Sequence, residues 1–188
     1  MFSRFFQLSL ALTCGLLLPA CSQEEGGLPD GYALHEGDGF TLAHPDTFSV
    51  TVDADRTILA DADLASARSI EVFPDPLPSG ASLDAYIDAR VRILNLEFDE
   101  AKVLARLPRE SVNTRGKLVS IRHKKDDAPK RVDRYVAITG GIAWNVSIHS
   151  RFDVDTADTQ ALVDNVIAFF EVEGATLPPA PSGEDSAY

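Results

Sequence analysis

Apolar and polar residues alternate through most of this chain, and only two stretches beyond the amino terminus change to the period of a helix. Phe40 and Leu42 alternate with polar neighbours up to a His44-Pro45-Asp46 turn, and Phe48, Val50 and Val52 resume the period of two. Ile58 and Leu59 mark a third strand, and Ile70, Val72 and Phe73 a fourth. Pro74, Pro76, Pro78, Ser79 and Gly80 then break the pattern. From Ser82, a plausible N-cap, to about Asn95 the period becomes helical, with Asp84 near the positive end. Leu83, Tyr86, Ile87, Arg90, Val91 and Leu94 fall on one stripe of that helix.

Alternation returns in the second half. Val103, Ala105 and Leu107 predict one strand and Leu118 to His123 another. Lys124 to Lys130 (KKDDAPK) reads as a polar hairpin tip, and Val132 to Thr139 as the returning strand. Gly140-Gly141 predicts a tight hairpin into Ile142–Ser150, because glycine accepts the positive φ angles such a turn requires. Within that strand Ile142, Trp144, Val146 and Ile148 face one way, and Ala143, Asn145, Ser147 and His149 the other. Asp155 or Thr156 caps a closing helix with Leu162, Val163, Val166, Ile167 and Phe170 on its apolar face. Two helices among eight hairpin-linked strands predict an α+β class, a largely antiparallel sheet flanked by helices.

Phe40-x-Leu42-x-x-Pro45-x-x-Phe48 resembles the Phe-x-Leu-x-Tyr-Pro-x-x-Trp opening of PsbP-like domains, including the DcrB-type envelope lipoproteins of bacteria. The helix after the Pro-rich break, the Gly140-Gly141 hairpin and the closing helix are similar too, and the resemblance spans about Gly31 to Val172. It implies a PsbP-like α/β/α sandwich, in a domain that binds or assists other proteins rather than catalyses.

The amino terminus adds a location. Arg4 precedes an apolar run from Phe5 to Leu18, shorter than the roughly 20 residues a bilayer span requires. Leu18-Pro19-Ala20-Cys21 resembles the bacterial lipobox, which implies that Cys21 becomes a lipidated N-terminus. Several acyl chains on one residue give stable membrane attachment, whereas a single chain gives only marginal binding. The expected organisation is a signal peptide over residues 1–20, a flexible tether over 21–30, one domain over 31–173, and an acidic, Pro-rich tail over 174–188. Ser22 after the cysteine resembles the enteric outer-membrane address, so the expected location is the periplasmic face of that membrane. Cys14 leaves with the signal peptide, and no thiol pair remains for a disulfide.

Charge narrows the partners. The net charge is −12, from 17 bases and 29 acids, which argues against nucleic acid because binding there needs cationic neutralisation of phosphates. Membrane contact is expected through the lipid on Cys21 alone. Arg115, Lys117, Arg122, Lys124, Lys125, Lys130, Arg131 and Arg134 form the one basic stretch. It reads first as a lysine-protected sheet edge, and second as a partner patch centred on Lys124, Lys125, Lys130 and Arg131.

No motif specifies a reaction. His35, His44, His123 and His149 lack the close spacing of a metal site, and no cofactor motif is present. Ser147 and Ser150 flank His149, but no Gly-x-Ser-x-Gly elbow accompanies them. The expected function is therefore noncatalytic support or binding of other envelope proteins. The alternative is a pocket for a small apolar ligand near Trp144, Tyr86 and Phe170, and an enzyme of unknown reaction ranks third.

Overall fold

A computed structural model describes residues 27–61, 68–98, 100–125, 128–152 and 156–177. The chain order is β1 (Tyr32–Gly37), β2 (Phe40–Pro45), β3 (Phe48–Asp53), β4 (Arg56–Asp61), β5 (Ser69–Pro76), α1 (Leu83–Glu97), β6 (Lys102–Glu110), β7 (Arg115–Lys125), β8 (Ala128–Thr139), β9 (Ile142–Arg151), α2 (Thr156–Ala168) and β10 (Glu171–Val172). The expected α+β class is what forms.

Seven strands build one sheet in the order β3-β4-β5-β9-β8-β7-β6, every neighbouring pair antiparallel. The hairpin at Gly140-Gly141 forms as the sequence predicts, with φ of 59° and 78° at the two glycines. Two strands were not foreseen. β1 pairs along β2, and the two-residue β10 pairs with the other side of β2, giving a separate three-stranded sheet. β1 has a weak signal because most of its side chains are half-exposed, so no clean alternation marks it.

The two faces of the large sheet are covered unequally. On one face α2 and the small sheet bury Phe40, Leu42, Leu59, Ile70, Val72, Leu118, Tyr135, Trp144, Val146 and Ile148 against Leu162, Val163, Val166, Ile167 and Phe170. On the other, α1 alone sets Tyr86, Ile87 and Leu94 against Val119, Ile121, Val136 and Ala143. Ser82 caps α1 as expected, its Oγ accepting from the Ala85 amide at 3.2 Å. A helix of this length spans about 22 Å, so it shields only part of a seven-stranded face. The remainder is where polar side chains collect.

Candidate functional site

Alternation along five strands lays a floor on the part of the sheet that α1 leaves open. β4 contributes Ile58, β5 contributes Ser69 and Glu71, β9 contributes His149, β8 contributes Lys130, Val132 and Arg134, and β7 contributes His123. Leu94 and Phe98, at the C-terminal end of α1, form one wall. The cleft so enclosed holds about 570 Å³, within the size range of small-molecule sites. Phe98 lies over the His123 imidazole, ring centroids 4.3 Å apart, which gives the cleft an aromatic flank.

Its electrostatics are organised around Phe73, which is nearly buried beside the cleft floor. The guanidinium carbons of Arg56, Arg90 and Arg134 stand 5.1, 5.5 and 6.0 Å from that ring centroid, within cation–π range. Arg56 Nη1 donates to Glu71 Oε1 at 2.8 Å, and Arg90 pairs with Asp75. Glu71 Oε2 faces His149 Nε2 at 3.6 Å. That imidazole is the largest influence holding the Glu71 carboxyl below the ordinary carboxylate range, with Arg56 adding to it and burial opposing both. Arg134 Nε donates to Ser147 Oγ at 2.8 Å, and burial followed by the Arg90 charge works against its cation.

Next to the cleft, Tyr86 ties α1 to the sheet. Its hydroxyl donates to Asp75 Oδ2 at 2.8 Å and accepts from Arg90 Nε at 2.9 Å and Asn145 Nδ2 at 2.8 Å. Burial is the main reason the phenol stays protonated beyond its ordinary range. Sequence periodicity put Tyr86 and Arg90 on the apolar stripe of the helix. The network they form shows why a cation is tolerated there.

Of the four residues expected to centre a basic patch, Lys124, Lys130 and Arg131 have described side chains. Lys130 and Arg131 both border the cleft, but they are successive in β8, and the Arg131 side chain turns to the opposite face, towards Asp133. Arg131 Nε stands 2.6 Å from Oδ2 of the fully buried Asp133, whose other oxygen accepts from Ser120. Lys124 Nζ meets Glu100 at 2.7 Å. The side chain of Lys125 lies outside the described residues, as do Cys21 and the whole leader.

The aromatics expected to frame an apolar pocket are also divided. Trp144 and Phe170 pack in the closed core under α2, ring centroids 6.5 Å apart, whereas Tyr86 lies across the sheet under α1. Even-numbered residues of β9 face α2, which separates Trp144 from the helix that carries Tyr86. Of the four histidines, His123 and His149 line the same cleft, on strands flanking β8. Their approach follows from strand order, which the sequence does not state. Among the described residues, no three histidine or carboxylate side chains are grouped to hold a metal ion. Ser147 and His149 share the cleft face of β9, but the Ser147 hydroxyl is taken by Arg134 and His149 is turned to Glu71.

Missed in sequence were Glu71, Arg56 and the role of Arg134. A readable signal existed for Arg134, a cation between Val132 and Val136 at the inward positions of a long strand. Glu71 and Arg56 gave none, since each looks like an ordinary solvent-facing strand charge.

No protein-family model matches the chain, and neither does any curated protein sequence. Solved structures do. Cyanobacterial PsbP (CyanoP) from Synechocystis sp. PCC 6803 superposes with a TM-score of 0.60 at 14% identity, covering 78% of this chain and 96% of its own. The Ran-binding protein Mog1p of Saccharomyces cerevisiae gives 0.55 at 13% identity, covering 75% and 95%. PA94 of Pseudomonas aeruginosa, a protein of unknown function and putative regulator, gives 0.53 at 12%, covering 80% and 99%. At such identities the likeness is one of fold, and the chain has the α+β fold of PsbP and Mog1p.

Proposed function

We propose that this chain is a noncatalytic, lipid-anchored envelope protein whose PsbP-like domain works by binding another protein. The observation that supports this most is the shared architecture with Mog1p, a domain of the same layers that binds Ran. The leader supports the anchor, since Leu18-Pro19-Ala20-Cys21 supplies the acceptor thiol at the end of an apolar run. In this reading Cys21 carries the lipid, the domain faces the periplasm from the outer membrane, and the type is that of the DcrB-like lipoproteins.

Apolar side chains are available to a partner on α1 and on both edges of the large sheet. Leu96 on α1 is 87% exposed, Val52 on edge strand β3 is 66% exposed, and Leu107 on edge strand β6 is 47% exposed. Edge strands also offer unpaired backbone groups to an added strand. A photo-reactive amino acid placed at Leu96, Val52 or Leu107 in living cells should yield a discrete crosslinked protein from at least one position. Its absence from all three, in a chain that reaches the envelope, would remove the protein-binding reading.

A further inference from the structure

Three guanidinium groups surround Phe73, but only two carboxylates answer them. Arg56 has Glu71 and Arg90 has Asp75, while the guanidinium of Arg134 is held only by Ser147, through Nε. Its two Nη groups have no acceptor among the described residues, and an arginine does not discharge by losing its proton. Glu71 is close by, yet its oxygens face Arg56 at 2.8 Å and His149 at 3.6 Å. Lys130, four residues before Arg134 on the same face of β8, also lines the cleft and forms no ion pair among the described residues. In a chain with 29 acids and 17 bases, two cations on one cleft floor that pair with no carboxylate among the described residues are a local anomaly. A half-buried charge without a counter-ion is costly, and it is tolerated where something else completes the pair.

The wall above that floor is apolar, formed by Leu94 and the Phe98 ring, and Ile58 and Val132 add apolar surface to the floor itself. We propose that this cleft is a binding site for a small organic monocarboxylate with an apolar or aromatic body. The carboxylate accepts both Nη donors of Arg134 in the bidentate geometry that a guanidinium favours, and Lys130, four residues away on the same face of β8, adds positive charge to the cleft. The body lies against Leu94, Phe98 and Ile58, in a volume of about 570 Å³. This goes beyond the protein-binding reading and stands apart from it, because none of Leu96, Val52 and Leu107 lines the cleft.

Calorimetric titration of the full chain in lipid nanodiscs with 3-phenylpropanoate tests the site, with empty nanodiscs as the blank and 3-phenylpropanamide as the uncharged isostere. The carboxylate should bind and the amide should bind at least about tenfold more weakly, the worth of a charge-assisted hydrogen bond. Arg134→Gln should weaken the acid about ten- to a hundredfold and leave the weak amide unchanged. It removes a desolvated charge, so the fold should persist, and Lys130→Gln, at the cleft margin, serves as a second variant with a several-fold loss. Equal binding of acid and amide, no binding of the acid, or an Arg134→Gln chain that binds the acid as well as wild type would each overturn the proposal. A peptide ending in a free phenylalanine carboxylate supplies the same head group from a chain terminus. Tighter binding of that peptide than of the small acid would overturn the free-acid form of the site. Failure of the titration leaves the crosslinks from Leu96, Val52 or Leu107 as they are, so the two readings fail separately.

Discussion

Replacing Tyr86 with phenylalanine removes one oxygen and tests how the first helix is held on the sheet. That oxygen uses its full capacity, donating once to Asp75 and accepting from Arg90 and Asn145. Arg90 and Asp75 have side-chain exposures of 28% and 31%, so water can replace what they lose. Asn145 is fully buried, and its Nδ2 retains only the Ala143 carbonyl at 3.1 Å. The orphaned amide hydrogen costs about 1–3 kcal/mol, and the two half-exposed bonds add about 0.5 kcal/mol each at the low end of their range. Tyr86→Phe should therefore lose about 2–4 kcal/mol, or about 4–16 °C in Tm for a chain of this size. Urea unfolding followed by emission of Trp144, the single tryptophan and 6% exposed, measures it without a label. Asn145→Leu should be costly alone, but the double variant should cost less than the sum, because removing both partners leaves no orphan. A Tyr86→Phe loss under about 0.5 kcal/mol, or strict additivity with Asn145→Leu, would refute the reasoning.

Three further expectations rest on other parts of the fold. A Cβ on Gly116 would stand 2.1 Å from the Val136 carbonyl oxygen, which is backbone in the adjacent strand, so Gly116→Ala should cost about 3 kcal/mol in urea unfolding; a neutral variant would contradict the β7–β8 register. Asn113 donates to the carbonyls of Val172 and Ala175 at 2.7 and 3.2 Å and accepts from the Val172 amide at 3.0 Å, so Asn113→Ala should speed hydrogen exchange at Val172 well before global unfolding. Unchanged exchange there would show that β10 is held by β2 alone. The folded pKa of Glu71 lies below the ordinary 4.5, so its contribution is full above that value and lost as pH falls through the folded pKa. Glu71→Gln should flatten the fall in urea midpoint below pH 4.5, whereas a fall as steep as wild type would mean that other carboxylates carry it.

The closed face of the sheet was readable because both partners show it in one dimension. Trp144, Val146 and Ile148 alternate, Leu162, Val163, Val166, Ile167 and Phe170 follow a helical stripe, and each surface can be buried only by the other. The cleft was not readable in that way. Its residues come from five strands whose spatial order, with β9 beside β5 and β8 beyond it, is set by tertiary pairing. Arg56 reaches Glu71 only across the β4–β5 ladder, and Arg90 reaches Asp75 only once α1 lies on the sheet. The proposed patch shows the opposite limit. Lys130 and Arg131 are neighbours in a charge count and both border the cleft, yet the period of two in β8 turns the Arg131 side chain away to Asp133. Linear proximity of charges counts for little in a strand, where adjacent residues never share a face.

One asymmetry organises the molecule. Burial by α2 and the small sheet leaves a largely apolar face, broken by the Arg131–Asp133–Ser120 cluster, while a single helix on the other leaves room for charges that need partners. The acidic surface elsewhere keeps the domain soluble and discourages nonspecific contacts. In the proposed setting, the lipid brings that domain to a membrane, and the exposed apolar positions and the cleft determine what it meets there.

The anchor is the claim on which that setting depends, and growth with radiolabelled palmitate tests it most directly. Wild-type chain should carry label and remain with the membrane fraction after a high-salt wash. Cys21→Ala should carry none and appear in the soluble periplasmic fraction if it is still processed, or keep its leader if it is not. Equal label on the two chains would contradict the account.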